Sequence, residues 1–188
     1  TPLYSSAASD VYKRQFFDSR IAYIAETGPK DNRTKRLAIM DSDGANHRFI
    51  TTGRSTALTP RYSPDYRQLV YLSYVDGNPR IYVYDVGTGS QTLVTESANP
   101  TFAPRWSPDG RYILYSMAVG GNTDIYRVPV TGGQSTRLTD APGIDIGGSF
   151  SPDGRQIVFE SDRSGNQQCY VMNADGTNQR RILSLIHI

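Results

Sequence analysis

The chain contains 188 residues, with a formal net charge of +2 at pH 7, 37% hydrophobic residues and one cysteine. This length allows a sizeable hydrophobic core, while the charge balance argues against the clustered basic surface that nucleic-acid binding requires. One cysteine excludes a disulfide framework and a cysteine zinc site. No apolar run is long enough to cross a bilayer, so we expect no direct membrane insertion.

The coding sequences of the two ends of the chain can be related to each other. Codons for residues 183–188 can be chosen so that their reverse complement translates as residues 10–15, and residues 5–9 fit a translation of an adjoining adaptor. This pattern resembles the mosaic end of a sequencing-library transposon on both sides of an insert. We therefore expect residues 1–15 and 183–188 to be adaptor-like artefacts that take no part in the fold.

A repeat dominates the chain between these ends. The tripeptide Ser-Pro-Asp begins at Ser63, Ser107 and Ser151, and successive copies are 44 residues apart. Each repeat contains four short segments rich in aromatic and β-branched residues, such as residues 112–116, separated by turn residues. Proline, aspartate and the following glycine favour a tight turn after the first segment. Four strands in about 44 residues are typical of a β-propeller blade.

The repeat spacing divides the chain into four predicted blades, at about residues 16–51, 52–95, 96–139 and 140–182. The first lacks the strand that ends in Ser-Pro-Asp, so we expect it to be incomplete. Closed propellers have about 4–8 blades. We therefore predict an all-β fold, a partial propeller that forms an open arc of about four four-stranded blades. Tyr66 stands where the other repeats have Gly110 and Gly154. If the backbone there has a positive φ, a bulky residue costs about 1 kcal/mol; the alternative is a turn of another type.

Residues that carry catalysis or bind metals are scarce. Outside the terminal segments the only histidine is His47, which cannot by itself build a histidine metal site or a Ser-His-Asp triad. Residues 41–44 resemble the start of a calcium loop, but Thr52 stands where the twelfth-position glutamate would be. We expect a turn there, and we predict no catalytic residue, metal or cofactor.

Several stretches resemble one known family: residues 17–23, 35–41, 43–48, 151–159 and 170–176. They are similar to the propeller of the TolB family of the Tol-Pal cell-envelope system. The resemblance implies that residues 16–182 are about the first four blades of a six-bladed ring. It also implies a non-enzymatic periplasmic protein that binds the peptidoglycan-associated lipoprotein Pal through one propeller face and other Tol proteins through further segments. The implied roles are outer-membrane integrity and cell division.

Two alternatives belong to other classes of protein. The first is a propeller that gates a serine peptidase of the prolyl oligopeptidase type, whose blades use similar repeats. Its nucleophile motif, Gly-x-Ser-x-Gly, is absent from this sequence. The second is another WD40-like binding module.

The connections between blades predict where a partner would bind. Residues 55–60, 98–104 and 143–148 differ between repeats, whereas the Ser-Pro-Asp turns are nearly identical. Variable loops on a constant scaffold are where specific recognition is expected. The residues predicted for the Pal-binding rim are Thr59, Arg61, Phe102, Arg105 and Asp145. The alternative is that Arg61 and Arg105 only line a wet channel.

Overall fold

The computed structural model describes residues 19–75, 77–95 and 97–183, and these residues form fifteen β-strands without a helix. None of them therefore forms an apolar helix that could cross a membrane. The strands are β1 (Arg20–Thr27), β2 (Thr34–Asp41), β3 (Arg48–Phe49), β4 (Thr56–Tyr62), β5 (Gln68–Val75), β6 (Asn78–Asp85), β7 (Gln91–Leu93), β8 (Thr101–Trp106), β9 (Tyr112–Val119), β10 (Asn122–Pro129), β11 (Thr136–Arg137), β12 (Asp145–Phe150), β13 (Gln156–Ser161), β14 (Gln168–Asn173) and β15 (Arg180–Leu183). The chain divides into two compact units between Ala57 and Leu58.

The first unit contains a three-stranded antiparallel sheet in the order β1-β2-β3. Its register runs from Arg20 opposite Asp41 to Thr27 opposite Thr34, and β2 buries Leu37 at its centre. The sheet has one strand fewer than the others, which confirms the prediction of an incomplete first blade. Residues 41–45 form a turn in which the Asp41 amide donates to the Ala45 carbonyl (2.9 Å), as predicted.

The other three sheets each contain four antiparallel strands in sequence order: β4 to β7, β8 to β11 and β12 to β15. Two core clusters of buried side chains join neighbouring sheets in the part of the chain that the structure describes. On β9, Ile113 packs into the cluster shared with the preceding sheet, and Leu114 packs into the cluster shared with the following sheet. Alternate residues of a strand point to opposite faces, so an apolar run on both faces buries this sheet between two neighbours.

The last sheet differs from this pattern. In β13, Ile157 and Phe159 are buried, but Val158 between them is 37% exposed. Residues 157–159 are apolar on both faces of the strand, which is typical of a blade between two neighbours, but only the face with Ile157 and Phe159 is buried. No sheet among the described residues packs against the face that carries Val158.

The Ser-Pro-Asp turns share one set of hydrogen bonds. Ser107 Oγ donates to Asp109 Oδ1 (2.5 Å) and accepts from the Tyr112 amide (2.9 Å), and Ser63 and Ser151 make the equivalent contacts. The residue after the aspartate has a positive φ in all three turns: 59° at Tyr66 and 70° at the two glycines. The predicted structural role of the tripeptide is confirmed, and of the two alternatives for Tyr66 the structure has the positive φ.

Of the residues predicted to be adaptor-like artefacts, only Leu183 lies within the described residues. Residues 1–18 and 184–188 lie outside the described residues. Leu183, the first residue of the predicted downstream artefact, is the last residue of β15, and its backbone pairs with Cys169. The folded strand thus extends one residue past the predicted junction.

Candidate protein-binding surface

All five residues predicted for binding lie on β4, β8 and β12, which we call the inner strands. Each is the first strand and one edge of its own sheet. The Trp106 Nε1 of β8 donates a hydrogen bond to the Arg61 carbonyl of β4 (3.0 Å), and β12 packs against β8. The inner strands therefore come together along one side of the second unit.

A β-bulge interrupts β8 and β12. In β8, Phe102 pairs with Ser116 and Arg105 pairs with Leu114, so two residues of β8 stand opposite one residue of β9. A positive φ occurs at the same repeat position in each inner strand: 49° at Thr59, 53° at Ala103 and 69° at Gly147. Bulges bend a strand and redirect its side chains. The sequence signalled this feature only through Gly147, because threonine and alanine rarely adopt a positive φ.

The bulge separates the predicted binding residues into two groups. Phe102 stands near the start of β8, beside the connections between sheets, while Arg105 stands next to the Ser-Pro-Asp turn. Three residues of extended chain span about 10 Å. Arg61 occupies the position of Arg105 in β4, and Thr59 lies between the two ends. The five residues are thus spread along the inner strands and do not meet at a single rim.

Arg61 and Arg105 are neighbours of like charge. Burial and then the charge of Arg61 lower the pKa of the Arg105 guanidinium. Arg105 is half-buried, and its Nη1 donates to the carbonyl of the adjacent Pro104 (3.3 Å). Within the described part of the chain, neither arginine has an acidic partner within 4.0 Å.

Asp145 occupies a different environment from the other four. Its side chain is 0% exposed, and its Oδ2 lies 2.6 Å from Arg163 Nη2. Its Oδ1 is buried and has no hydrogen-bond partner within the described ranges. Arg163 also donates to Gln179 Oε1 (2.6 Å) and stacks over the rings of Phe159 and Tyr170. Asp145 therefore cannot touch a partner protein directly, and it instead holds Arg163 in place.

The connection before β12 is held rigidly on both sides. The Gly143 amide donates to Asn122 Oδ1 (2.7 Å), and the Ile144 amide donates to Asp162 Oδ1 (2.6 Å). Thr123 and Ile144 form a parallel bridge between the third and fourth sheets. The Ile144 side chain remains 43% exposed. Sequence reasoning missed this isoleucine, because only the partners of the loop backbone reveal that it is fixed on the surface.

A cavity of about 520 Å³ opens at the opposite end, between the turns of the third and fourth sheets. Its lining residues include Asp109, Arg111, Tyr112, Arg127, Phe150 and Asp153. Arg127 lies over the Tyr112 ring (4.8 Å) and donates to the Ala174 carbonyl (3.2 Å). The hydrogen bond from Ser107 contributes most to lowering the pKa of Asp109 to about 2. The charged groups of this cavity thus hold turns and join two sheets.

Metal ligands do not gather among the described residues, where no group of three or more histidine, cysteine, aspartate or glutamate side chains could hold an ion. The inner strands and their connections instead offer arginines, an exposed isoleucine and a half-buried phenylalanine. Such side chains are typical anchors of protein interfaces. The arrangement favours protein recognition.

Comparison with known proteins identifies the family. A family model described as the TolB beta propeller domain matches residues 11–185, which includes a few residues of each predicted terminal artefact. Tol-Pal system protein TolB 1 of Novosphingobium aromaticivorans is 74% identical over 76 residues, which are 40% of this chain and 17% of that protein. The crystal structure of TolB from Acinetobacter baumannii superposes with a TM-score of 0.81 and 29% identity, over 95% of this chain and 46% of that chain.

A crystal structure of puromycin hydrolase also superposes, with a TM-score of 0.72 and 17% identity over 89% of this chain and 29% of that chain. At this identity the likeness shows the fold alone. The chain spans less than half the length of each of these three proteins. The family match and the structural match confirm a partial β-propeller, and the chain belongs to the TolB β-propeller family.

Proposed function

We propose that this chain is part of the propeller of a periplasmic, non-enzymatic Tol-Pal protein that binds Pal and supports outer-membrane integrity and cell division. One observation carries the proposal: the 74% identity over 76 residues with a protein named Tol-Pal system protein TolB 1. The peptidase-gating alternative has only fold-level support, because the hydrolase structure is 17% identical. Fold alone does not assign function.

The surface that we propose for Pal consists of Phe102, Val119 and Ile144, and we call it the loop-end surface. Val119 is 41% exposed at the end of β9, in the hairpin that leads to Asn122. Asn122 in turn holds the Gly143 amide, next to Ile144. The backbone of this surface is therefore ordered before a partner arrives, which lowers the entropic cost of binding.

The ion pair between Asp145 and Arg163 supports the backbone of the same surface. Arg163 Nε donates to Ser161 Oγ (2.9 Å), at the end of β13. The adjacent Asp162 accepts the hydrogen bond from the Ile144 amide. A change at Asp145 would therefore disturb Ile144 indirectly, through the hairpin that contains Arg163. In this proposal Asp145 is a positioning residue, and Phe102 and Ile144 make contact.

Titration calorimetry with Pal of Novosphingobium aromaticivorans tests the proposal. We expect Ile144→Ser to weaken binding about tenfold, because truncating an interface anchor commonly costs more than 1 kcal/mol. Val158→Ser is the matched control, since Val158 has similar exposure on the face of β13. Absence of binding to the unmodified chain contradicts the proposed function. A loss in Val158→Ser together with none in Ile144→Ser places the partner on another surface.

A further inference from the structure

Arg61 and Arg105 are neighbouring arginines outside the loop-end surface. We call them the arginine pair. They occupy equivalent positions in adjacent inner strands. The hydrogen bond from Trp106 Nε1 to the Arg61 carbonyl fixes β8 against β4 at this point (3.0 Å). Each guanidinium is a planar fork of donors that matches a carboxylate or another oxyanion.

The nearest acidic residues along the chain are already engaged. Asp65 Oδ1 accepts from Ser63 Oγ (2.6 Å) and from the Arg67 amide (3.1 Å). Asp109 makes the same contacts in the next sheet, and its Oδ2 also accepts from Arg111 Nε (2.7 Å). These carboxylates hold the Ser-Pro-Asp turns. They are therefore not the counter-charges of the arginine pair.

Some arginines of the second unit pair with buried aspartates. Arg163 pairs with Asp145, and Arg137 pairs with Asp124, both at 2.6 Å. Arg105 is half-buried like Arg163, but within the described part of the chain it has no acidic partner within 4.0 Å, and Arg61 is a neighbour of like charge. Placing two like charges together opposes folding, so the arginine pair has a feature expected of a site that awaits an anionic group.

The backbone beneath the arginine pair is strained as well. Thr59 and Ala103, each two residues before its arginine, have positive φ values of 49° and 53°. Positive φ in residues other than glycine is energetically unfavourable, and such strain concentrates at binding sites. The bulge sets the direction of the residues that follow it. A strained backbone thus orients both guanidinium groups.

We propose that the arginine pair is a binding site for a carboxylate carried by a peptide segment. The site lies beside the Ser-Pro-Asp turns, at the other end of the inner strands from the loop-end surface, and does not depend on the proposed binding of Pal. Arg61 is exposed and Arg105 is half-buried, so an acidic side chain can reach both. A bidentate contact with Arg105 and a second contact with Arg61 would neutralise the repulsion.

NMR titration of the full chain with labelled arginine side chains tests this site. The probes are the acidic peptide acetyl-Gly-Glu-Glu-Gly-amide and free succinate, which distinguish a peptide-borne carboxylate from a small one. We expect the peptide to shift the Arg61 and Arg105 signals at low salt and to bind more tightly than succinate. Tighter binding of succinate would overturn the assignment to a peptide.

Three variants separate a binding role from a structural one. Arg105→Gln should weaken binding of the peptide at least tenfold. Arg105→Lys should weaken binding less, because lysine keeps the positive charge but loses the planar set of guanidinium donors. Arg155→Gln, at an exposed arginine of the last Ser-Pro-Asp turn, should leave binding unchanged. Arg61→Gln should leave the melting temperature unchanged or raise it. No shift at either arginine, or a lowered melting temperature in Arg61→Gln, would overturn the proposal.

Discussion

Substitutions at Tyr66 would measure the free-energy cost of backbone strain. The glycines at the same position of the other repeats provide the comparison. The Tyr66 φ of 59° lies in the left-handed region, where Gly110 and Gly154 of the other turns have φ of 70°. A side chain in this region costs about 1 kcal/mol or more compared with glycine. The Tyr66 ring lies 5.7 Å from the Tyr62 ring, and such a contact contributes about 0.5–1.5 kcal/mol when buried. Tyr66 is 60% exposed, so we expect the ring contact to contribute only about 0.5 kcal/mol.

Two substitutions at this position separate strain from ring contact. Tyr66→Ala removes the ring contact and keeps the strained φ, whereas Tyr66→Gly removes both. We expect the glycine variant to be more stable than the alanine variant by about 1 kcal/mol and more stable than the tyrosine chain by about 0.5 kcal/mol. For a chain of this size, 1 kcal/mol corresponds to about 2–4 °C in melting temperature.

Thermal melts followed by circular dichroism would measure these differences. Gly154→Ala is the matched control, because an added Cβ would lie 3.9 Å from the nearest atoms of Pro108 and would not clash. We therefore expect a loss of about 1 kcal/mol from conformation alone. The reasoning is refuted if Tyr66→Gly melts at or below Tyr66→Ala, or if Gly154→Ala is neutral.

Two further predictions concern buried polar groups, and both can be measured by urea unfolding. Tyr71→Phe should leave the free energy of unfolding unchanged or raise it, because the Tyr71 hydroxyl is buried and has no partner in the described part of the chain. Tyr115→Phe should lower it by about 1 kcal/mol, since Tyr115 donates to Ser135 Oγ (2.7 Å); equal effects would contradict both assignments. Arg163→Met should lower the free energy of unfolding by about 3–5 kcal/mol, because it leaves the Asp145 carboxylate buried without a counter-charge. Arg137→Met should lower the free energy of unfolding by less, because Asn122 and Thr139 also donate to Asp124. A larger loss in Arg137→Met than in Arg163→Met would show that Asp145 is stabilised in another way.

The parts of the fold that recur in every repeat could be predicted from the sequence. The spacing of Ser63, Ser107 and Ser151 gave the positions of the turns and therefore of the strands on either side. The glycines at the equivalent positions raised the question of a positive φ at Tyr66, which the structure answers with 59°. These predictions succeeded because turn geometry depends on local residues.

The binding residues were harder to predict, because their environment depends on distant parts of the chain. Asp145 shares its repeat position with Thr101, which is also buried, but its ion pair is with Arg163, which lies in the hairpin after β13. The positive φ at Thr59 and the bulge at Ala103 could not be read from residue preference. This geometry depends on the pairing of each inner strand with the next strand of its sheet.

The repeat also explains why function is to be sought in departures from it. Thr95 and Thr139 accept hydrogen bonds from the Ile81 and Ile125 amides at nearly equal distances, 3.1 and 2.9 Å. Thr51 accepts from the Leu37 amide in the same way in the first sheet (3.0 Å), so a threonine at this repeat position fixes each of these three sheets. The arginine pair has no counterpart in the fourth sheet, where Ser149 takes its place. Because the surrounding backbone is nearly constant, a difference in side chain at one repeat position changes the surface without changing the scaffold.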